Sequence, residues 1–366
     1  MDSKWVELFV HWDTIINQTS GEASPYYMAS KVITTRDGSR SLFSNRFQQH
    51  YHNIAGALTE SRNVFFDNTG LSRALAEHRD ITLCEVGLGT GLHVALVECM
   101  RKRTGSRSQV HYYSVEKYPL EVDVIRQMDF GRICPGMEEV VVRLADDLYQ
   151  ARDGESVTVT ISPDGKTEDG KKEGEGEGEG EGKGKAEAEA EAETEGKGEV
   201  MAATEKKPTE EIAGLLETSR NAEEPEQADT SKNPLKSETQ LPVGTPFTRV
   251  EVFRGDFHDW NLAVFNRPAQ IILHDAFSPD TNPDLWTVAT FRKLMEAADP
   301  QAMLGTYCSA TRARAAMILA GWHIGRVQGP PGKREVTVAS PDEAMLSAFR
   351  GVNEELLMNR FREELS

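Results

Sequence analysis

Residues 81–92 read ITLCEVGLGTGL, a short apolar run that passes into three alternating glycines. The run Ile81–Val86 has the length and apolar content of a buried strand, and Leu92–Arg101 has the apolar spacing of a helix. Glycines between a strand and a helix allow a tight turn and let a ligand approach the backbone closely. The stretch therefore predicts a strand–loop–helix unit that binds a ligand at its loop.

The same alternation of strand and helix patterns continues along the chain. Further strands are predicted at Val110–Val115, Ala269–His274, Ala302–Cys308, Trp322–Val327 and Glu335–Ala339, and further helices at Leu120–Met128, Thr287–Ala297 and Thr311–Leu319. Such alternation indicates an α/β fold, a doubly wound Rossmann-like sheet that is covered by helices on both faces. Residues 32–43 read instead as a small hairpin, which predicts a small N-terminal β region.

Residues 165–240 differ from the rest of the chain in composition. They hold 22 acidic residues against 11 basic ones and no aromatic residue, in a chain of 366 residues with a net charge of −18. Repeats of Glu-Gly and Ala-Glu bury too little apolar surface to offset the entropy lost on ordering, so we expect a disordered acidic insert. Two interpretations of it stay open: a tether for an unknown partner, and a neutral surface expansion.

The segments that flank this insert, Val157–Ser162 and Phe247–Phe253, both alternate in polarity. They predict two antiparallel strands whose hairpin tip was opened by the insert. We therefore expect four parts, which are an N-terminal extension over 1–75 packed on the sheet domain, the sheet domain over 76–164 and 241–345, the insert over 165–240, and a C-terminal helix over 346–366.

Several classes of protein are excluded by composition. No run of about 18 apolar residues predicts a transmembrane helix, and the first residues resemble neither a signal nor a transit peptide. Four cysteines lie far apart without a CxxC motif, and the histidines lack metal-ligand spacing. We therefore expect a cytoplasmic protein with no membrane partner, no disulfide scaffold and no metal.

Acidic residues follow the predicted strands and suggest how a nucleoside would bind. Glu116 ends the second strand, where a carboxylate can accept both hydroxyls of a ribose; the alternative is an ion pair with Lys117. Asp256 and Phe257 follow the strand after the insert, where they can meet an adenine amino group and ring. The alternative for Asp256 is a helix cap.

Asp275 follows a predicted buried strand and is the candidate for chemistry, because active sites in open α/β sheets lie beyond the carboxyl ends of strands. A carboxylate can orient an amine and take up its proton, and nearby Phe277 can stack on a planar base. The alternative for Asp275 is a structural turn.

Two stretches rich in basic residues predict a phosphate-binding face if they meet in space. They contain Lys31, Arg36, Arg40 and Arg46, and Arg312, Arg314, Arg326, Lys333 and Arg334.

Several motifs follow one another in a fixed order. They read LFSNRF (42–47), ESRNVFF (60–66), EVGLGTGL (85–92), VEKYPL (115–120), HDAFSPDTNPDLW (274–286), GTYCS (305–309) and GKRE (332–335). In these motifs and their order the chain resembles the methyltransferase domain of the MnmC family of bacterial bifunctional tRNA-modification proteins. The resemblance implies a class I methyltransferase fold, S-adenosylmethionine as the methyl donor, and tRNA with an aminomethyl group on its wobble uridine (5-aminomethyl-2-thiouridine type) as the acceptor.

Site residues carried over by the resemblance fall into three groups. Asp275 and Phe277 take the substrate-facing positions. The residues expected to bind the donor are Glu85, Gly87, Gly89, Gly91, Leu92, Glu116, Lys117, Asp256 and Phe257. The residues expected to contact the tRNA are Arg46, Pro279, Trp286, Lys333 and Arg334.

The chain departs from the family pattern at His93 and Ala276, where the family has Asn and Gly, and it ends at Ser366 without room for the family's oxidase domain, so FAD is not expected. Two other functions remain open. An aminopropyltransferase of polyamine synthesis shares the fold and a sulfonium donor but would be indifferent to RNA. A catalytically retired tRNA-binding protein would keep tRNA affinity without turnover.

Overall fold

The computed structural model describes residues 31–162, 167–169 and 245–365. Within these residues the strands form a small three-stranded sheet, β1–β3, and a ten-stranded sheet in the order β13-β11-β12-β10-β9-β4-β5-β8-β6-β7. The strands are β1 (Lys31–Thr34), β2 (Arg40–Ser44), β3 (Gln49–His50), β4 (Ile81–Val86), β5 (Gln109–Glu116), β6 (Ser156–Ile161), β7 (Thr167–Asp169), β8 (Phe247–Arg254), β9 (Ala269–His274), β10 (Ala298–Thr306), β11 (His323–Gln328), β12 (Glu335–Ser340) and β13 (Arg350–Gly351).

The centre of the large sheet is parallel. β10, β9, β4, β5 and β8 run side by side in one direction, and antiparallel strands extend the sheet at both edges. Val86 at the end of β4 pairs with Val115 on one side and His274 on the other. The residues that follow these three strands are therefore brought to one edge of the sheet. This confirms the predicted doubly wound α/β fold.

Helices cover the parallel strands. They are α1 (Ala57–Ser61), α2 (Leu71–Ala76), α3 (Leu92–Thr104), α4 (Val122–Arg126), α5 (Phe130–Ile133), α6 (Met137–Gln150), α7 (Val288–Ala297), α8 (Thr311–Leu319) and α9 (Glu354–Leu365), with a π-helical turn at Arg62–Asp67 and 3₁₀ turns at Leu262–Val264, Pro283–Trp286 and Glu343–Leu346. All six residues of β4 are buried, as a strand covered on both faces requires. Cys84 and Val86 share a core with Phe291 of α7 and Met317 of α8. No helix in the described ranges is long and apolar enough to cross a bilayer.

Helix α6 is absent from the elements predicted above. Its buried residues Val140, Val141, Leu144 and Leu148 recur at spacings of three and four, which is the pattern of an amphipathic helix. It follows α5 after a turn at Gly136, whose backbone is left-handed with φ of 83°. This amphipathic spacing is visible in the sequence of Met137–Gln150, although the segment contains none of the motifs described above.

The N-terminal β region is confirmed as a sheet joined to the large domain. Asp37 ties its β1–β2 turn to α1, because Oδ2 accepts hydrogen bonds from the backbone N and the hydroxyl of Thr59 at 3.0 and 2.9 Å. Gln49 on β3 reaches across to the segment after β9, where Nε2 donates to the hydroxyls of Ser278 and Thr281 at 2.6 Å each. The small sheet is thereby held beside the carboxyl end of β9.

The predicted antiparallel pair around the insert is confirmed by β6 and β8, with Val157 opposite Val252. The boundary of the insert at 165 is wrong by a few residues, because Thr167–Asp169 form β7 on the outer side of β6. The remainder of the predicted insert, like residues 1–30, lies outside the described residues. The C-terminal helix begins at Glu354 rather than at 346, because a 3₁₀ turn and β13 come first.

Candidate active site

A cavity of about 920 Å³ lies where the carboxyl ends of β4, β5, β8 and β9 meet the N-terminal β region. Many of the residues singled out in the sequence line it. They are Arg46, Gly87, Gly89, Leu92, Glu116, Lys117, Asp256, Phe257, Asp275, Phe277 and Lys333. The part of the chain that the structure describes holds no group of three or more His, Cys, Asp or Glu arranged for a metal ion.

The glycine loop has room for backbone only. Gly87 and Gly89 have φ of +93° and +56°, and a Cβ on Gly87 would lie 3.2 Å from the carbonyl oxygen of Asp275. A Cβ on Gly89 would lie 3.1 Å from the ring of Tyr51. The third glycine, Gly91, does not line the cavity; its missing side chain leaves space for Val141 of α6. Two of the glycines therefore open the cavity and one serves packing.

Glu116 turns its carboxylate toward the glycine loop. Its Oε2 accepts a hydrogen bond from Gly89 N at 2.9 Å and its Oε1 accepts one from Tyr118 N at 2.7 Å. Burial raises the pKa of Glu116, and these backbone donors act in the opposite direction. Each oxygen keeps a lone pair for a hydroxyl donor in the cavity. The alternative of an ion pair with Lys117 is wrong.

Lys117 instead pairs with Asp256 across the mouth of the cavity. Its Nζ lies 2.7 Å from Oδ2 of Asp256, while Oδ1 accepts a hydrogen bond from His258 N at 2.9 Å. Burial favours a higher pKa for Asp256, but Lys117 and the His258 amide hold it below its usual value. The helix-cap alternative for Asp256 is wrong, because residues 257–259 form a turn and the next 3₁₀ turn is capped by Asn261. Asp256 stabilises that turn through the His258 amide and also lines the cavity. Phe257 lines the same wall with a 3% exposed side chain.

Asp275 follows β9 and lines the cavity. Its backbone N donates to Val86 O at 3.1 Å, which fixes it beside the glycine loop. No hydrogen bond from the described residues stabilises its carboxylate; burial raises its pKa well above the usual value, and the charges of Glu60 and Glu85 raise it further. A carboxyl group in this setting has a strong tendency to take up a proton or to bind a cation.

Phe277 belongs to an aromatic cluster. Its ring centroid lies 4.4 Å from that of Phe47 at an angle of 30°, and 5.0 Å from that of Tyr51 in a T-shaped contact. Tyr118 extends the cluster, and the guanidinium carbon of Arg46 lies 3.6 Å from its ring centroid. A planar base would therefore meet a composite aromatic surface rather than one isolated phenyl ring.

The two basic stretches meet, but only some of their cations face the cavity. Asn53 Nδ2 donates to Pro331 O at 3.3 Å, which joins the stretches. Arg46 and Lys333 line the cavity. Arg314 does not belong to a phosphate-binding face, because it is buried and bound to Glu335 at 2.8 Å.

Five residues predicted to line the site lie outside the cavity, and they are Glu85, Gly91, Pro279, Trp286 and Arg334. Two of them support it from behind. Glu85 is 1% exposed, and its Oε1 lies 2.6 Å from Nδ1 of His93. Trp286 is 4% exposed, and its Nε1 donates to the carbonyl of Phe277 at 2.7 Å. Both side chains are buried and bond residues that line the cavity.

Sequence reasoning missed several residues that line the cavity. Glu60 and Tyr51 come from the N-terminal region, Tyr307 follows β10, and His93 lies on α3. His93 bonds Glu85 through Nδ1 and lies 3.0 Å from the Ser61 hydroxyl through Nε2. Tyr307 donates to Ala276 O at 2.9 Å. Glu60 and Tyr307 lie in motif stretches and His93 departs from the family pattern, but no local pattern marks any of the three as a cavity residue.

Comparison with known proteins shows which family and which solved structure this chain resembles. A family described as S-adenosyl-L-methionine-dependent methyltransferase matches residues 221–342. The crystal structure of MNMC2 from Aquifex aeolicus has the same fold, with a TM-score of 0.51 and 17% identity over 98% of this chain and 89% of that one. Over part of its sequence the chain is therefore similar to S-adenosylmethionine-dependent methyltransferases, and it shares the fold of MNMC2.

The chain is also similar in sequence to the tRNA 5-methylaminomethyl-2-thiouridine biosynthesis bifunctional protein MnmC. It is 26% identical to MnmC of Burkholderia mallei strain SAVP1 over 310 residues, which are 84% of this chain and 34% of that protein. A segment of 62 residues is 45% identical to MnmC of Pseudomonas paraeruginosa. The match spans 34% of the Burkholderia protein and 10% of the Pseudomonas protein. The resemblance predicted from the motifs is confirmed.

Proposed function

We propose that the chain transfers a methyl group from S-adenosylmethionine to the amino group of an aminomethyl substituent on a tRNA wobble uridine. The observation that carries this proposal is the carboxylate of Asp275, which has no hydrogen-bond partner among the described residues and shares one cavity with the glycine loop and with Glu116. Such a carboxylate suits an amine acceptor because it binds the ammonium form and can take its proton. The name of the MnmC relatives, which refers to 5-methylaminomethyl-2-thiouridine biosynthesis in tRNA, supports the choice of acceptor.

In this proposal the donor lies along the glycine loop. The residues that hold it are Gly87, Gly89, Leu92, Glu116, Lys117, Asp256 and Phe257. Gly87 and Gly89 allow close approach to the backbone, and the Glu116 carboxylate accepts the ribose hydroxyls through its remaining lone pairs. The donor supplies a methyl group bound to a positively charged sulfur. The neutral thioether that remains after transfer is a good leaving group for in-line displacement.

The acceptor lies on the side of β9 and the N-terminal sheet. Asp275 orients the amine and takes the proton that frees its lone pair, and the Phe47–Phe277 surface contacts the uracil ring. Arg46 and Lys333 supply positive charge for the tRNA backbone. We place this activity in the cytoplasm, which the four free cysteines support.

The test is transfer of labelled methyl from S-adenosylmethionine to tRNA with and without the aminomethyl group. We expect label only in the aminomethyl tRNA, and its loss in Asp275→Ala with donor affinity retained. Asp280→Ala is the matched control, because Asp280 is an exposed aspartate of the same loop. Label in neither tRNA, with donor binding intact, would refute this acceptor; transfer that survives in Asp275→Ala would refute the role of Asp275.

A further inference from the structure

The carboxylate of Glu60, which has no role in the proposed function, lines the same cavity as Asp275. Glu60 lies in the short helix α1, is 8% exposed and belongs to the cavity lining. Its Oε2 accepts a hydrogen bond from Asn53 N at 2.7 Å, so its carboxylate has a fixed orientation. Burial raises the pKa of Glu60, as it does for Asp275. The cavity therefore places two carboxyl groups, from different ends of the chain, in one poorly solvated space.

The surroundings of this pair contain less positive charge than two carboxylates would need. The charges of Lys333 and His93 both lower the pKa of Glu60, and Nζ of Lys333 lies 4.5 Å from the ring centroid of Tyr307. Burial lowers the pKa of Lys333. Besides Lys333, the titratable groups that face the pair are Glu85 on β4, His93 on α3, Tyr112 on β5 and Tyr307 after β10. The pair therefore carries a deficit of positive charge that one ammonium group would fill.

We propose that Glu60 is a positioning residue for methyl transfer, whose negative charge makes Asp275 a stronger base and draws the acceptor ammonium into the cavity. The inference rests on the proposed function, because it assumes an amine acceptor. Two like charges in a shared, buried space cannot both ionise freely, and the carboxyl group that faces the acceptor gains proton affinity.

The proton and electron balance of the step is simple. The acceptor enters as an ammonium, and one N–H proton passes to the Asp275 carboxylate. The freed nitrogen lone pair forms the N–C bond to the methyl group while the S–C bond breaks, and the electron pair of that bond stays on sulfur. The products are a secondary ammonium and a neutral thioether. Glu60 exchanges no atom in this step, and it acts only through its charge and through Asp275.

Glu60→Gln is the variant that tests this role. A glutamine keeps the volume of the side chain, and its amide oxygen can still accept the Asn53 N–H, so the fold of α1 is retained. We expect the carboxyl pKa of Asp275 to fall, because the variant removes a negative charge that raises it. We read it from the ¹³C signal of protein labelled at aspartate Cγ, assigned with Asp275→Asn. An unchanged Asp275 pKa in Glu60→Gln would overturn the proposal, and this readout needs no turnover.

Kinetics give the second readout. Because ionised Asp275 is the active form, the acidic limb of the pH–rate profile should move to lower pH in Glu60→Gln, with kcat/KM for the aminomethyl tRNA reduced about tenfold. Glu60→Asp should recover part of the loss, and Glu139→Gln, an exposed glutamate on α6, should match the wild type. Donor affinity should stay within about twofold. A lower rate without a shifted limb would show a merely structural role and refute the proposal.

The two proposals fail in different ways. If the wild type transfers no methyl group to aminomethyl tRNA, the proposed acceptor is wrong, and the aspartate titration still decides whether Glu60 acts on Asp275. If the wild type is active, and Glu60→Gln has the same Asp275 pKa and the same turnover as the wild type, only the proposed role of Glu60 is refuted.

Discussion

The ring of Phe47 lies against the ring of Phe277, with centroids 4.4 Å apart and planes inclined by 30°. Phe47 comes from the turn between β2 and β3, and Phe277 follows β9, so the contact joins the small sheet to the large one. Gln49 strengthens the junction through its two hydrogen bonds to Ser278 and Thr281. The N-terminal region is therefore a wall of the candidate active site and not an appendage.

Phe47→Ala tests this wall. Removing one ring of the pair should reduce kcat/KM for the tRNA by roughly two- to tenfold, since aromatic pairs contribute about 0.5–1.5 kcal/mol. Donor affinity, measured by calorimetry, should not change. The control is Phe43→Ala, because Phe43 lies on the same small sheet, contacts His50 and does not line the cavity. Equal losses in both variants would contradict the interpretation.

Glu116→Gln tests the donor side. The amide keeps the shape but offers one acceptor oxygen instead of two, and it loses the charge that strengthens hydrogen bonds from ribose hydroxyls. We expect donor affinity to fall about 10- to 100-fold, as for the loss of charged hydrogen bonds. Glu121→Gln, at an exposed glutamate close by, should bind the donor like the wild type. Calorimetric titration with S-adenosylmethionine decides, and equal affinity in Glu116→Gln would argue against the ribose contact.

Gly87→Ala tests the need for bare backbone. The residue has φ of +93°, and a Cβ would lie 3.2 Å from the Asp275 carbonyl oxygen. Gly105 is the matched control, because it has φ of +62° and a Cβ there would contact nothing within 4 Å. Gly105→Ala should cost about 1 kcal/mol from conformation alone. Gly87→Ala should cost more and should also weaken donor binding. Thermal unfolding and calorimetry of both variants measure this, and equal behaviour would show that the close approach is unimportant.

A buried ion pair under the sheet gives a prediction for stability. Glu98 and Arg101 of α3 form two hydrogen bonds of 2.9 Å, with 0% and 3% of their side chains exposed, and Glu98 also contacts the hydroxyl of Thr248 on β8. Arg101→Met leaves a buried carboxylate without its cation, so the free energy of unfolding should fall by about 3–5 kcal/mol.

Urea unfolding measures this loss. Arg73→Met removes the exposed pair with Glu77 and should leave the unfolding midpoint near that of the wild type. If Arg101→Met were as stable as Arg73→Met, the pair would contribute nothing to the fold.

His52 predicts how stability depends on pH. Burial lowers its pKa from 6.5 to about 3, and its Nδ1 lies 3.2 Å from the Ser41 hydroxyl. Between these values the unfolded chain takes up a proton and the folded chain does not, so the free energy of unfolding falls as the pH drops below about 6.5. At pH 5 the loss from this one group is about 2 kcal/mol.

Urea unfolding at pH 7.5 and pH 5 of the wild type and His52→Gln isolates this part. His274, whose pKa burial lowers to about 4, contributes in the same direction to both proteins and cancels in the comparison. The stability of His52→Gln should therefore fall less steeply with decreasing pH. Parallel pH dependence in the two proteins would show that His52 is not buried neutral.

The strand–loop–helix unit at 81–92 and the strand ends at Glu116 and Asp275 could be predicted because their patterns are local. A short, mostly apolar strand, a glycine loop and a carboxylate after a strand each occupy a few consecutive positions. Parallel order then brings those positions to one edge of the sheet. This is why most of the predicted donor residues do line one cavity.

Other parts of the site depend on contacts between distant segments. Glu60 and Phe47 reach the cavity only through the fold of the N-terminal sheet, and no local pattern shows which way their side chains turn. Glu85 and Trp286 stand beside cavity residues in the sequence yet point into the core, since neighbours in a strand or turn face opposite sides. Burial of individual side chains is a tertiary property that spacing does not reveal.

The segment from Asp275 to Ser278 is held by its surroundings at almost every step. Tyr307 binds the carbonyl of Ala276, Trp286 binds that of Phe277, and Gln49 binds Ser278. Its conformational entropy is therefore lost when the chain folds and not when a substrate arrives. Association with an acceptor at this segment should accordingly carry only a small entropic penalty from loop ordering. The site should therefore favour acceptors whose shape fits the segment without rearrangement.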